Sequence, residues 1–169
     1  APYGPDQAFA FARDRGLDFL MASEHNHMYD GADGYDPAAD PAQARALYQS
    51  GLKMADAFNA ANPGFVALYG MEWGVISNGG HVNVIGAGEL LGWERDSSGA
   101  LLADTYTPRN DFAALYALMR QRGWLGQFNH PNWRGQFQVN GAAFGYTPDG
   151  GEAMALCEVL NTSAFSTST

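Results

Sequence analysis

The stretch YGMEWGVISNGGHVNVIG, residues 69–86, limits what this chain can fold into more than any other. An apolar, β-forming run at 65–69 precedes Glu72, and a second at 82–85 follows His81. Only the eight residues 73–80 separate Glu72 from His81. A parallel crossover takes about a dozen residues or more, so the two runs are expected to be antiparallel neighbours joined at an Asn78-Gly79-Gly80 turn. The carboxylate leaving one strand and the imidazole entering the next then lie at the same end of a sheet. Both groups bind metals, and that end is where chemistry is expected.

The remaining chain alternates helix-like and strand-like segments. Residues 5–15 carry Pro and Asp at their start and Gly16 just beyond, which are helix start and stop signals. The apolar run 17–22 then reads as a strand that empties into Ser23-Glu24-His25-Asn26-His27. After a loop rich in Asp, Gly and Tyr, Asp40 caps and Pro41 opens a long helix to about Ala61, with Leu47, Leu52, Ala55 and Phe58 on its apolar face. Residues 88–109 are polar and Gly-rich, and no regular structure is expected there. Phe112, Leu115, Tyr116 and Met119 follow helical spacing, with Arg120 and Arg122 in the last turn and Gly123 past it. A strand at 124–128 runs into Asn129-His130-Pro131, a long loop spans 132–152, and a last strand covers 154–160. Three helices and about five strands, with polar residues at the ends of four of them, fit an α/β barrel better than a doubly wound sheet with its single switch point.

Composition narrows the class. With 169 residues, 46% of them hydrophobic, residues 1–169 are expected to form one domain. Eighteen acidic and nine basic residues give a net charge of −9, and with Lys53 the one lysine there is no basic stripe for nucleic acid. No run of eighteen apolar residues points to a membrane span. Cys157 is the one cysteine, so disulfides and thiolate metal clusters are excluded, and its apolar surroundings predict a buried, inert thiol. Compartment is not indicated.

His25, His81 and His130 each fall at an inferred strand end, with His27 two residues beyond His25. Any one of them alone reads most simply as an imidazole that braces a loop. Together with Glu72 they form a cysteine-free set suited to zinc, manganese or iron. Glu24 reads first as a carboxylate orienting a metal-bound imidazole, with a metal ligand or a solvated loop charge as the alternatives. Glu24 or His27 could also shuttle a proton. Asn26 and Asn129 are candidates to hold substrate or water, or else to satisfy loop backbone. Arg134 is a candidate for gripping an anionic group, or a surface charge. Trp73, Trp133 and Tyr35 either wall a pocket or pack the loops. Glu158 points inward to the site or outward to solvent.

Taken in order, S-E-H-N at 23–26, G-M-E-W at 70–73, G-G-H-V-N-V-I-G at 79–86, Q-F-N-H-P at 127–131 and C-E-V-L-N at 157–161 resemble the PHP (polymerase and histidinol phosphatase) superfamily of metallohydrolases. The branch it resembles most is that of the CehA/McbA-type hydrolases. The resemblance implies a distorted (β/α)7 barrel with two or three divalent metal ions at the C-terminal strand ends. His25, His81 and His130 would be metal ligands and Glu72 a bridge between two ions. Glu24 stands where such proteins commonly carry aspartate. The family pattern begins with a His-x-His on its first strand and ends with an Asp-x-His on its last, and the chain reads as starting after the one and stopping before the other, so it is expected to be the incomplete central portion of such a barrel. The implied activity is hydrolysis of a small-molecule ester, a phosphoester first. A carboxylic ester or carbamate on the same metals is the neighbouring possibility, and a non-catalytic metal-binding or structural module is the rival from another class. A sugar-cleaving barrel is a weaker third.

Overall fold

The computed structural model describes residues 4–27, 40–75, 79–131 and 135–159. Four α-helices are seen among them: α1 (Pro5–Asp14), α2 (Pro41–Ala61), α3 (Phe112–Arg122) and α4 (Pro148–Ala153). The strands are β1 (Phe19–His25), β2 (Val66–Val75), β3 (Gly80–Ile85), β4 (Leu91–Gly92), β5 (Thr105–Tyr106), β6 (Leu125–Phe128) and β7 (Met154–Cys157). Among the described residues no helix is long and apolar enough to cross a membrane.

Five strands form one mixed sheet in the order β1-β2-β3-β6-β7. β1 pairs parallel with β2, and β6 parallel with β7, while β3 is antiparallel to both its neighbours, β2 and β6. The C-terminal ends of β1, β2, β6 and β7 therefore share one end of the sheet with the beginning of β3. The expected hairpin is present, since Gly74 pairs with His81 and Val75 with Gly80. The α/β class is as expected, and the described strands do not close into a barrel: they form an open sheet with β1 and β7 at its edges.

One face of the sheet carries the core. Ala67, Tyr69, Met71 and Trp73 of β2 alternate onto it, as do Val82 and Val84 of β3, and all are buried. α2 covers this face through Ala44, Tyr48, Gly51 and Ala55, while Leu47, expected on its apolar side, is exposed. Any side chain at Gly51 would clash with the Tyr69 ring, so the helix approaches the sheet closely because this residue lacks one. Asp40 accepts a bond from Ala42 N at the start of α2. Asp111 caps α3 through Ala114 N, and Gly123 ends that helix in the left-handed conformation. Phe112, Leu115, Tyr116 and Met119 of α3 are all buried, as their spacing predicts.

Three local expectations are corrected. The passage 88–109 holds the small parallel pair β4–β5, tied down where Asp104 accepts from Leu90 N and Thr107 N donates to Gly92 O. The loop 132–152 ends in α4, which starts at Pro148 with Thr147 as its cap. Cys157 is exposed, because the strand that carries it lies at the edge of the sheet.

Candidate metal centre

On the sheet face opposite the core, the registers place His25 beside Glu72, Glu72 beside Asn83, and Asn83 beside Gln127. This row crosses β1, β2, β3 and β6, and its side chains point to one side because strand alternation has period two. His81, one step toward the strand ends, joins them from the start of β3. His130, just past β6, completes an open cleft that these residues share with Asn129 and Glu158.

Glu72 is its centre. Its Oε2 lies 3.3 Å from His25 Nε2, and its Oε1 lies 3.1 Å from His81 Nδ1 and 3.4 Å from His130 Nε2. His81 Nδ1 and His130 Nε2 are themselves 2.9 Å apart. Asn129 Nδ2 donates to Glu72 Oε1 at 2.9 Å. Burial opposes ionisation of Glu72, but the hydrogen bonds from His130, His81 and Asn129 outweigh it and hold its carboxyl well below the usual carboxylate range. The same contact with Glu72 raises the His130 pKa against the effect of burial.

His130 sits at φ 31, in the left-handed region that a side chain disfavours. Its backbone N–H donates to the Glu158 carboxylate, which thus points into the cleft and pins this turn.

The donor set fits a divalent cation. His25, Glu72 and His81 each offer a ligand atom within 4.8 Å of the others. Glu72 Oε1, His81 Nδ1 and His130 Nε2 form a tighter triangle, with edges of 3.1, 3.4 and 2.9 Å. A tetrahedral ion with bonds of about 2.0 Å has ligand-to-ligand edges of about 3.3 Å, so a shift of a few tenths of an ångström would close this triangle on zinc.

The other residues singled out from the sequence fall elsewhere. Trp73 does not wall the cleft: it is fully buried on the core face, donates to Thr107 Oγ1 at 2.8 Å and packs edge-on against Trp93 and Phe112. Strand alternation sends it away from Glu72. Asn26 is buried with both ends of its amide committed to backbone, Nδ2 to Leu91 O and Oδ1 to Gly74 N, so it braces β2 against β4 and lies outside the Glu72 cleft. Glu24 is exposed and lies on the opposite face of β1 from His25, too far round to orient that imidazole. The His27 ring stands 5.1 Å from that of His25 but lines a small hollow with Leu90, Leu91 and Trp93 rather than the Glu72 cleft. Trp133, Arg134, Tyr35 and the turn residue Asn78 lie outside the described residues. Asn83 and Gln127 also line the cleft, and the sequence reading assigns them no role. Their signal was available in the strand periodicity, since both share a face with Glu72 once the register is known.

No family model matches the chain, and neither a curated protein nor a solved structure matches it.

Proposed function

We propose that this chain carries the centre of a metal-dependent hydrolase site of the PHP type, with a phosphoester as the first substrate class. The observation that carries this reading is the disposition of Glu72, whose two carboxylate oxygens face different imidazoles, Oε2 toward His25 and Oε1 toward His81 and His130. A carboxylate placed in this way is suited to bridging two divalent ions, zinc, manganese or iron. A bound divalent ion supplies Lewis acidity and lowers the pKa of a water it holds, to about 7 for zinc.

The chain's own residues then have separable tasks. His81 and His130 hold one side of the centre and His25 the other. Glu158 fixes the His130 backbone, and Glu72 keeps the two sides together. The amides of Asn83 and Gln127 face the cleft and offer hydrogen bonds to a polar substrate. The open face of the sheet gives a small ester access from solvent, and the parallel strands deliver four of the ligating or bracing residues at their C-terminal ends, where α/β proteins commonly place their chemistry.

A second reading has its own observation. Among the described residues the cleft is lined by carboxylates, imidazoles and amides, without lysine or arginine. Such a lining suits an uncharged carboxylic ester or carbamate as well as a phosphoester. Assays of the zinc- and manganese-loaded chain against a chromogenic phosphodiester, phosphomonoester and carboxylic ester decide between them. Metal uptake without turnover of any of these would favour a metal-binding module.

A further inference from the structure

We propose that Asn129 is the positioning residue of this centre, and that with Gln127 and Asn83 it forms an amide chain that orients Glu72 and sets the affinity for a divalent cation. The proposal rests on the metal-centre reading above.

Asn129 is buried, and every polar atom of its side chain is matched. Gln127 Nε2 donates to Asn129 Oδ1 at 3.0 Å, which turns the two N–H groups of the Asn129 amide the other way. They meet two acceptors, Glu72 Oε1 and Asn83 Oδ1, each at 2.9 Å. The backbone of Asn129 is also fixed, its N–H donating to His81 O at 3.0 Å. The amide therefore has one satisfied orientation. Reversed, it would set its oxygen against Glu72 and its nitrogen against Gln127.

Among the described residues, the other polar contacts of the Glu72 carboxylate come from His25, His81 and His130. Those ring nitrogens must give up their hydrogens, and with them these hydrogen bonds, to become metal ligands. Asn129 does not. Its N–H is the described contact that holds Glu72 Oε1 both before and after an ion enters, so it keeps the carboxylate from rotating out of the triangle. Partners of this kind are worth roughly 10- to 100-fold in metal affinity when lost.

The test is zinc affinity, measured by competition with a chromophoric chelator, together with the thermal melting of the metal-free protein. Asn129→Ala is expected to weaken zinc binding by about tenfold or more. Gln127→Ala releases the amide lock from the open side of the sheet and is expected to weaken zinc binding by more than about threefold in a chain that remains folded. A folded Asn129→Ala chain that binds zinc as tightly as the wild type overturns the proposal. If Asn129→Ala fails to fold, Gln127→Ala decides, and affinity within about threefold of the wild type overturns it. Normal zinc uptake by the wild type with unaltered variants would refute the amide chain alone; a wild type that takes up no zinc would refute the metal centre with it.

Discussion

Glu72 Oε1 stands 3.1 Å from His81 Nδ1 across the β2–β3 hairpin, although the two residues belong to strands running in opposite directions. β3 is the strand that breaks the parallel order of its neighbours, and this reversal lets a residue at the start of a strand share a site with residues at the ends of four others. Glu72→Gln keeps the shape of the side chain and removes its charge. It is expected to abolish metal-dependent turnover and to weaken zinc uptake sharply, as followed by ester hydrolysis and chelator competition. An unchanged rate would remove Glu72 from the mechanism.

His25 and His81 address different oxygens of Glu72, so their loss should have different consequences. His81→Ala breaks the tight triangle with His130 and is expected to remove the stronger of two zinc-binding steps. His25→Ala is expected to leave that step and to remove the weaker one. Calorimetric titration of the metal-free variants reads both steps. Equal losses in the two variants would argue for one shared ion.

The metal-free centre has a pH signature. His130 is raised above its usual value of 6.5 by Glu72, so its contribution to stability is fully present below 6.5 and is lost as pH rises through the higher folded value. Glu72 is lowered below its usual 4.5, so its contribution is present above 4.5 and is lost as pH falls through the lower folded value. The metal-free chain should therefore gain most from this pair between these two limits. Zinc binding should tighten as pH rises, because the imidazolium of His130 must lose its proton to become a ligand. Urea midpoints measured from about pH 3 to about pH 8 check the two stability limbs, and zinc affinities from about pH 5 to about pH 8 check the metal-binding slope.

Trp73 separates core from site. It is buried beside Glu72 in sequence yet faces the other side of the sheet, where it bonds to Thr107. Trp73→Ala is expected to destabilise the chain by about 3–5 kcal/mol, with zinc affinity per folded molecule unaltered. A large loss of affinity in the folded fraction would place Trp73 in the site after all.

The fold was readable in the sequence where local rules dominate. Pro41 after Asp40 and Gly123 after Arg122 mark helix ends that the structure keeps, and the short 73–80 connection forces the hairpin. What escaped was set by nonlocal contacts. Trp73 reads from the sequence as either a pocket wall or loop packing, and only the strand register separates the two: with period-two alternation adjacent strand residues face opposite ways, so Trp73 turns away from Glu72 into the core. Leu47 yields its place in the α2 interface to Ala44, Tyr48 and Gly51, a choice made by the Tyr69 ring on the facing strand. β4 and β5 have two residues each, too few to leave a periodic signal. Cys157 reads as apolar and buried within its strand, yet that strand lies at a sheet edge, which no local pattern records.

The most direct measurement is titration of zinc into the metal-free wild-type chain beside Glu72→Gln, followed by elemental analysis of both after dialysis. The expected result is at least one retained equivalent of zinc in the wild type and a marked loss in Glu72→Gln. A wild-type chain that retains no zinc, or a variant that retains as much, would contradict a metal centre built around Glu72.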